Sequence, residues 1–169
     1  EKNVEPIKSN EFLKELSFCR NDTNSYLRKL LPQENNEVLY DAINYAIFSG
    51  GKRFRAFLVI QAAKLFEIPK IRALQAASAI ETTHTYSLVH DDLPSMDNDD
   101  IRRGKPTVHI KWDEATAVLV GDALQAFAYQ ILSDKKTHPN SEVRLHLIKT
   151  LSEASGHNGM VLGQSKDLE

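Results

Sequence analysis

Apolar residues recur along this chain three and four positions apart, the period of an amphipathic helix. The first such stretch runs from about Asn10 to Leu31, with Phe12, Leu16, Cys19, Tyr26 and Leu30 as core candidates and Pro32 closing it. A second, from about Glu37 to Ser49, carries Leu39, Ile43, Ala46 and Ile47 and ends at Gly50-Gly51. The third runs from about Phe54 to Phe66 and stops before Pro69. The fourth begins near Pro69 and continues to His90 through Ala76, Ala77, Ile80, Thr83 and Leu88. A polar excursion, DDLPSMDNDDIRRGKPT, then separates Asp91 from Thr107. A further helix follows Trp112, with Asp113 as its N-cap, and continues through Val118, Leu119, Ala123, Phe127 and Ile131. Pro139-Asn140-Ser141 caps a last helix, from about Glu142 to Leu168.

No alternating strand pattern of useful length, internal repeat, low-complexity tract or linker interrupts this series. The six prolines, with Gly50, Gly51 and Gly104, fall between or at the ends of the periodic segments. The pattern predicts one all-α domain over residues 1–169. The chain lacks an initiator Met and stops at Leu168-Glu169 with the helical pattern still running. We therefore expect the front part of a longer protein.

Composition adds exclusions. At 169 residues, a chain of this size buries about two-thirds of its unfolded surface, enough for a core. Hydrophobic residues at 41% and charged residues at 26% exclude wholesale disorder. Twenty-one Lys and Arg against 23 Asp and Glu give a net charge of −2, which is no nucleic-acid signature. Anions must be met by local clusters. A single cysteine, Cys19, forms neither an internal disulfide nor a thiolate zinc site, and fits a reducing, cytoplasmic compartment. No stretch reads as a membrane span or a signal peptide, so stable membrane insertion is not expected.

Asp91, Asp92, Asp97, Asp99 and Asp100 crowd into ten residues. At an effective dielectric near 20, two like charges about 4 Å apart repel by roughly 4 kcal/mol. Such acids either splay into water or share a divalent cation. Mg²⁺ suits them, because it takes one or two carboxylates plus substrate phosphates. On an unbroken helix Asp91 and Asp97 would point about 120° apart. Pro94 biases Leu93 away from helical angles, so the helix should end near Asp92 and the loop can return Asp97 toward Asp91. Acids at a helix C-terminus also oppose the macrodipole.

A basic cluster, Arg102, Arg103 and Lys105, follows at once. It reads either as surface salt bridges or as the cationic half of a diphosphate site. Upstream, GGKRFR places Lys52, Arg53 and Arg55 after two glycines, where backbone amides can approach an anion. It is no P-loop, since the GxxxxGK[ST] spacing is absent. His84 lies seven residues before Asp91, on nearly the same helix face; it reads as a ligand-facing or a structural histidine. Tyr86, five before Asp91, reads as a core aromatic. Gln164 and Asp167 in GQSKD share a face, a weak signal alone. Asp122 in GDALQ sits in an apolar helix, where burial would demand a partner.

Taken together, GGKRFR, ETTHTYSLVHDDLPSMDNDDIRRGKPTVH, GDALQ and GMVLGQSKDL resemble, in order and spacing, the front half of a trans-isoprenyl diphosphate synthase. DDxxxxD followed by DxRRGxP is a specific combination, and the resemblance spans most of the chain after about Glu37. It implies an isoprenoid-synthase-type bundle of long helices around a central cavity, and a homodimer. The implied activity condenses isopentenyl diphosphate with an allylic diphosphate, dimethylallyl or geranyl, in a Mg²⁺-dependent prenyl transfer, with Mn²⁺ as a substitute metal. By position, Asp91 and Asp97 would hold the metal with Asp92 in support. Arg102 would contact the allylic diphosphate. Lys52, Arg55, His84 and Arg103 would bind isopentenyl diphosphate, with Arg53 beside them. Gln164 and Asp167 would face the cavity, Asp167 joining the metal network.

Four residues, Leu93 to Met96, between Asp92 and Asp97, with the bulky Tyr86 and its neighbour Ser87 ahead of the motif, resemble the chain-length region of bacterial farnesyl diphosphate synthases. Geranyl or geranylgeranyl diphosphate are the alternative products. The family's second aspartate-rich motif lies beyond Glu169, so the 169 residues alone are expected to be inactive. Two other readings compete. One is a non-catalytic shortened homologue or subunit. The other, prompted by His90-Asp91, is a His-Asp metal phosphohydrolase, which leaves GGKRFR and IRRGKP unexplained.

Overall fold

The computed structural model describes residues 9–31 and 37–169. Among them are eight helices: α1 (Ser9–Leu30), α2 (Val38–Phe48), α3 (Phe54–Leu65), α4 (Lys70–Asp91), α5 (Val108–Lys111), α6 (Glu114–Ser133), α7 (Ser141–Ser155) and α8 (Met160–Asp167). Between α4 and α5 sits a two-residue-per-strand hairpin, β1 (Ile101–Arg102) and β2 (Lys105–Pro106), paired antiparallel. The all-α expectation holds. The closure of the first helix at Pro32 lies outside the described residues.

α4 is the axis of the fold. It packs against α1, α2 and α3 on one side and most extensively against α6 on the other. Ala77, Ala79 and Val89 are all buried, so three separate clusters meet on this one helix. Leu27, Ile43, Ile47, Tyr86, Val120 and Leu124 form the largest cluster. Cys19, Ala56, Ile60 and Leu74 fill the α1–α3–α4 layer. Ala79, Ile131 and Leu132 receive Leu147, Ile148 and Leu151 from α7. Two buried threonines of α4 are satisfied within the helix, Thr83 and Thr85 donating to the carbonyls of Ala79 and Glu81 at 3.0 and 2.8 Å.

The caps follow the chemistry of the flanking residues. The Asp113 carboxylate accepts from the Thr116 amide at 2.6 Å and starts α6, and the Asn140 side chain accepts from the Glu142 amide at 2.9 Å and starts α7. α4 ends at Asp92, as Pro94 dictates.

The structure differs from the periodic reading in five places. The expected last helix is two helices, because Gly156 and Gly159 each cost about 1 kcal/mol in a helix interior. In α1 and just after it the deeply buried residues are Leu27, Leu31 and Thr23 with Cys19, while Phe12 stays exposed with its ring edge-to-face with Phe57. The short α5 precedes Trp112. Asp122 is exposed, so it needs no buried partner. And α6 is long and apolar enough to cross a membrane by length and composition alone, although here it lies as the chief neighbour of α4.

Gly121 permits that packing. A Cβ there would collide with the imidazole of His90, whose Nε2 lies 3.0 Å from the Val118 carbonyl. Gly121→Ala should therefore force α4 and α6 apart and destabilise the protein by about 1–3 kcal/mol. Thermal unfolding followed by circular dichroism checks this; an unchanged midpoint would contradict the close approach.

Candidate active site

The acidic loop folds back on the end of α4. The Asp97 amide donates to the Asp91 carbonyl at 2.9 Å, the Asn98 amide to Leu93 at 3.1 Å and the Asp99 amide to Asp92 at 3.1 Å. These bonds return Asp97 to Asp91, the placement expected from Pro94. The Asp97 carboxyl is pushed up, first by the neighbouring Asp91 charge, with smaller contributions from burial, Asp99 and Asp167. Two carboxylates that resist joint ionisation are a pair whose repulsion a cation would relieve. Asp167, at the end of α8, adds a small repulsion to the Asp97 carboxyl, and the Gln164 amide donates to Asp91 Oδ1. Among the described residues no three His, Cys, Asp or Glu side chains are assembled around one point. Two hard carboxylates with space for phosphate oxygens nevertheless fit Mg²⁺.

Asp92 has a different part. Its buried carboxylate accepts from Arg102 Nε at 2.7 Å and Nη2 at 2.6 Å, and Arg102 also reaches Asp99 at 3.6 Å. Burial pushes the Asp92 carboxyl up against the pull of Arg102. Asp92 thus orients Arg102 beside the acids rather than adding a third free carboxylate to the Asp91–Asp97 pair.

The hairpin carries Arg103 the other way. Arg103 and Gly104, with φ of 55° and 74°, are the two turn residues between Arg102 and Lys105. Positive φ at both positions is what the tightest hairpin requires. The Arg103 guanidinium donates to the Gly50 carbonyl and lies over Gly51, where an added Cβ would stand 2.5 Å from Nη1. Burial, then the Arg53 and Arg102 charges, pull its pKa down.

Lys52, Arg53 and Arg55 do not act as one group. Arg53 takes a left-handed backbone, φ 54°, at a cost of about 1–2 kcal/mol. Its side chain is buried, paired with Glu81 at 3.2 Å, donating to the Ile47 carbonyl and bonded to Asn24 Oδ1 at 3.0 Å. Glu81 also accepts from the Ala56 amide at 2.9 Å. Arg53 therefore holds the loop with its guanidinium engaged, while it still lines the pocket beside Lys52 and Arg55. Lys52 and Arg55 stay exposed on the pocket that Arg103 and His84 also line.

Arg55 Nη1 stands 3.3 Å from His84 Nε2. Since Arg only donates, Nε2 is the acceptor and the imidazole is neutral. Burial first, then the Arg55 charge, lower its pKa to about 4. Arg55, His84, Ser87, Asp91 and Gln164 all line one cleft between α4 and the α7–α8 wall. His84 and Asp91 are seven residues apart, so cations and acids lie about 10 Å apart along one helix face. Ser87 faces this cleft. Tyr86, one residue round the helix, is buried in the α4–α6 core instead, its ring 5.9 Å from that of His90. Of the two residues of the expected chain-length region, Ser87 lines the cleft and Tyr86 does not. His90 is turned to α6, away from the acids, where a His-Asp metal site would need it.

Glu81, Asn24 and Arg20 escaped the sequence reading. An acid inside an otherwise apolar and threonine-rich helix was the available signal for Glu81; Asn24 and Arg20 gave none.

The depressed His84 pKa has a definite sign. Near neutral pH both folded and unfolded states carry a neutral imidazole. As pH falls below about 6.5, the unfolded chain gains a proton that the folded site resists, so stability drops until pH reaches about 4. His84→Asn should flatten that part of the curve of unfolding midpoint against pH. Parallel curves for the two proteins would contradict the neutral, buried imidazole.

Comparison with known proteins supplies the family. Residues 36–169 match the family model described as polyprenyl synthetase. A farnesyl diphosphate synthase of Haemophilus influenzae is 46% identical over 159 residues, covering 93% of this chain and 54% of that protein. An apo structure of an FPP/GFPP synthase from Zymomonas mobilis superposes with a TM-score of 0.88 at 49% identity, covering 92% of this chain and 57% of that one. A geranyltransferase from Legionella pneumophila gives a TM-score of 0.89 at 42% identity, covering 96% and 58%. The chain spans about half the length of the curated relatives it matches. Its helices therefore follow the all-α fold of the isoprenyl synthases, and the chain belongs to the polyprenyl synthetase family.

Proposed function

We propose that this chain carries the diphosphate-holding part of a trans-prenyltransferase that condenses isopentenyl diphosphate with dimethylallyl or geranyl diphosphate, ending at farnesyl diphosphate. The observation that carries the reading is the shared α4 face, with a carboxylate pair at one end of a cleft and a cationic pocket at the other. Such a face suits two diphosphates whose hydrocarbon ends meet between them.

In this reading Asp91 and Asp97, with Asp167 nearby, hold Mg²⁺, which when bound neutralises charge on the departing diphosphate. Arg102, fixed by Asp92, faces the same leaving group. Lys52, Arg55 and Arg103 hold the diphosphate of isopentenyl diphosphate, and neutral His84 completes the pocket as a hydrogen-bonding group. The allylic C–O bond breaks and its electron pair leaves with the diphosphate. The alkene of isopentenyl diphosphate attacks the resulting allylic cation, forming the new C–C bond. The proton then lost from the adduct passes to the leaving diphosphate. No protein nucleophile is needed, and apolar walls such as Ile80, Leu88 and Met160 keep water from the cation. The farnesyl length is taken from the similar proteins, several of which are farnesyl diphosphate synthases. Val118 and Leu119, exposed on α6, support a homodimer built on that helix.

The test is an assay of the complete enzyme with radiolabelled isopentenyl diphosphate and dimethylallyl diphosphate. C15 product should form with Mg²⁺, vanish with EDTA and return on adding Mg²⁺ or Mn²⁺. Asp97→Asn should lower kcat by at least about a hundredfold, in the range lost with a main electrostatic group. Product independent of divalent metal would contradict the carboxylate assignment, and C20 as the chief product would contradict the farnesyl assignment.

A further inference from the structure

Arg20 belongs to α1, outside every segment that marks the family, yet its side chain lines the same pocket as Lys52, Arg55, His84 and Arg103. The register of α1 explains why. Arg20 and Asn24 are four residues apart and share a helix face. Asn24 accepts from Arg53 Nε at 3.0 Å, so this face of α1 is fastened to the glycine loop. Arg20 is exposed and takes part in no hydrogen bond or ion pair among the described residues. The pocket's one carboxylate, Glu81, is already paired with Arg53. Arg20, Lys52, Arg55 and Arg103 thus leave four positive charges with no acid to balance them. A diphosphate carries about three negative charges near neutral pH, so the pocket matches a diphosphate better than a monophosphate.

We propose that Arg20 is a further binding residue of this pocket, contributed by α1, and that it grips the outer phosphate of the bound diphosphate. The inference rests on the reading of this pocket as a diphosphate site. It makes α1 a wall of the site and gives the pocket a preference for diphosphate over monophosphate.

Calorimetric titration of inorganic pyrophosphate and of inorganic phosphate, without divalent metal, tests it in the wild type and in Arg20→Gln, Arg20→Lys and Arg55→Gln. Arg20→Gln should weaken pyrophosphate about tenfold, the low end for a charge-assisted contact. Phosphate should weaken less, and Arg20→Lys should recover most of the loss. Because the side chain is exposed and unpaired, the unfolding midpoint should not move. If Arg55→Gln weakens pyrophosphate while Arg20→Gln matches the wild type, the Arg20 assignment falls and the diphosphate pocket stands. If the wild type takes up no pyrophosphate, or Arg55→Gln leaves its uptake unchanged, the pocket reading falls and Arg20's role falls with it.

Discussion

One guanidinium frames the whole site. Arg53 joins α1 through Asn24, the end of α2 through the Ile47 carbonyl, and α4 through Glu81. The same Glu81 accepts an amide of the first turn of α3, one of the donors a helix start leaves unpaired. Four helices thereby meet at one buried ion pair. Losing one partner of such a pair leaves an uncompensated buried charge, at a cost of about 3–5 kcal/mol. That cohesion is what sustains the left-handed backbone at Arg53 and sends Lys52 and Arg55 outward to the pocket.

Around this frame the charges are sorted by sign. The hairpin between α4 and α5 does much of the sorting with two consecutive residues. Arg102 turns to Asp92 and Asp99, and Arg103 crosses to the Gly50 carbonyl. With Asp92 satisfied, Asp91 and Asp97 are left facing each other, and the rise in the Asp97 pKa is the sign of that repulsion. At the other end burial, and after it the Arg55 charge, keeps His84 neutral. Both ends are electrostatically unsatisfied toward solvent, in opposite senses, and under the proposed function a phosphorylated ligand would relieve each: directly at the cations, and through a metal at the carboxylates.

Much of this was legible in the residues. α2, α3, α4 and α6 follow their periodicity, and Pro94 and Asp113 mark the ends that the backbone takes. The fold-back of Asp97 followed from Pro94 alone. What stayed hidden depends on packing across distant segments. Arg53 looked like its neighbours Lys52 and Arg55 until Glu81, 28 residues on, claimed it. Tyr86 and Ser87 are adjacent, and spacing could not decide which of them met the cleft while α6 and α7 had no places. The break at Gly156 was signalled by SGHNG, residues 155–159, a run with two glycines and no apolar residue that the periodic reading passed over. Arg20 carries no motif, and only the Asn24–Arg53 bond shows which way its face is turned.

The central claim is that one face of α4 presents a metal site and a diphosphate pocket at its two ends. A crystal structure of the protein grown with Mn²⁺ and inorganic pyrophosphate tests it most directly. The account predicts an anomalous Mn²⁺ peak held by the carboxylates of Asp91 and Asp97, and pyrophosphate on Lys52, Arg55 and Arg103 beside His84. Metal bound away from those two carboxylates, or pyrophosphate found only outside the pocket, would contradict it.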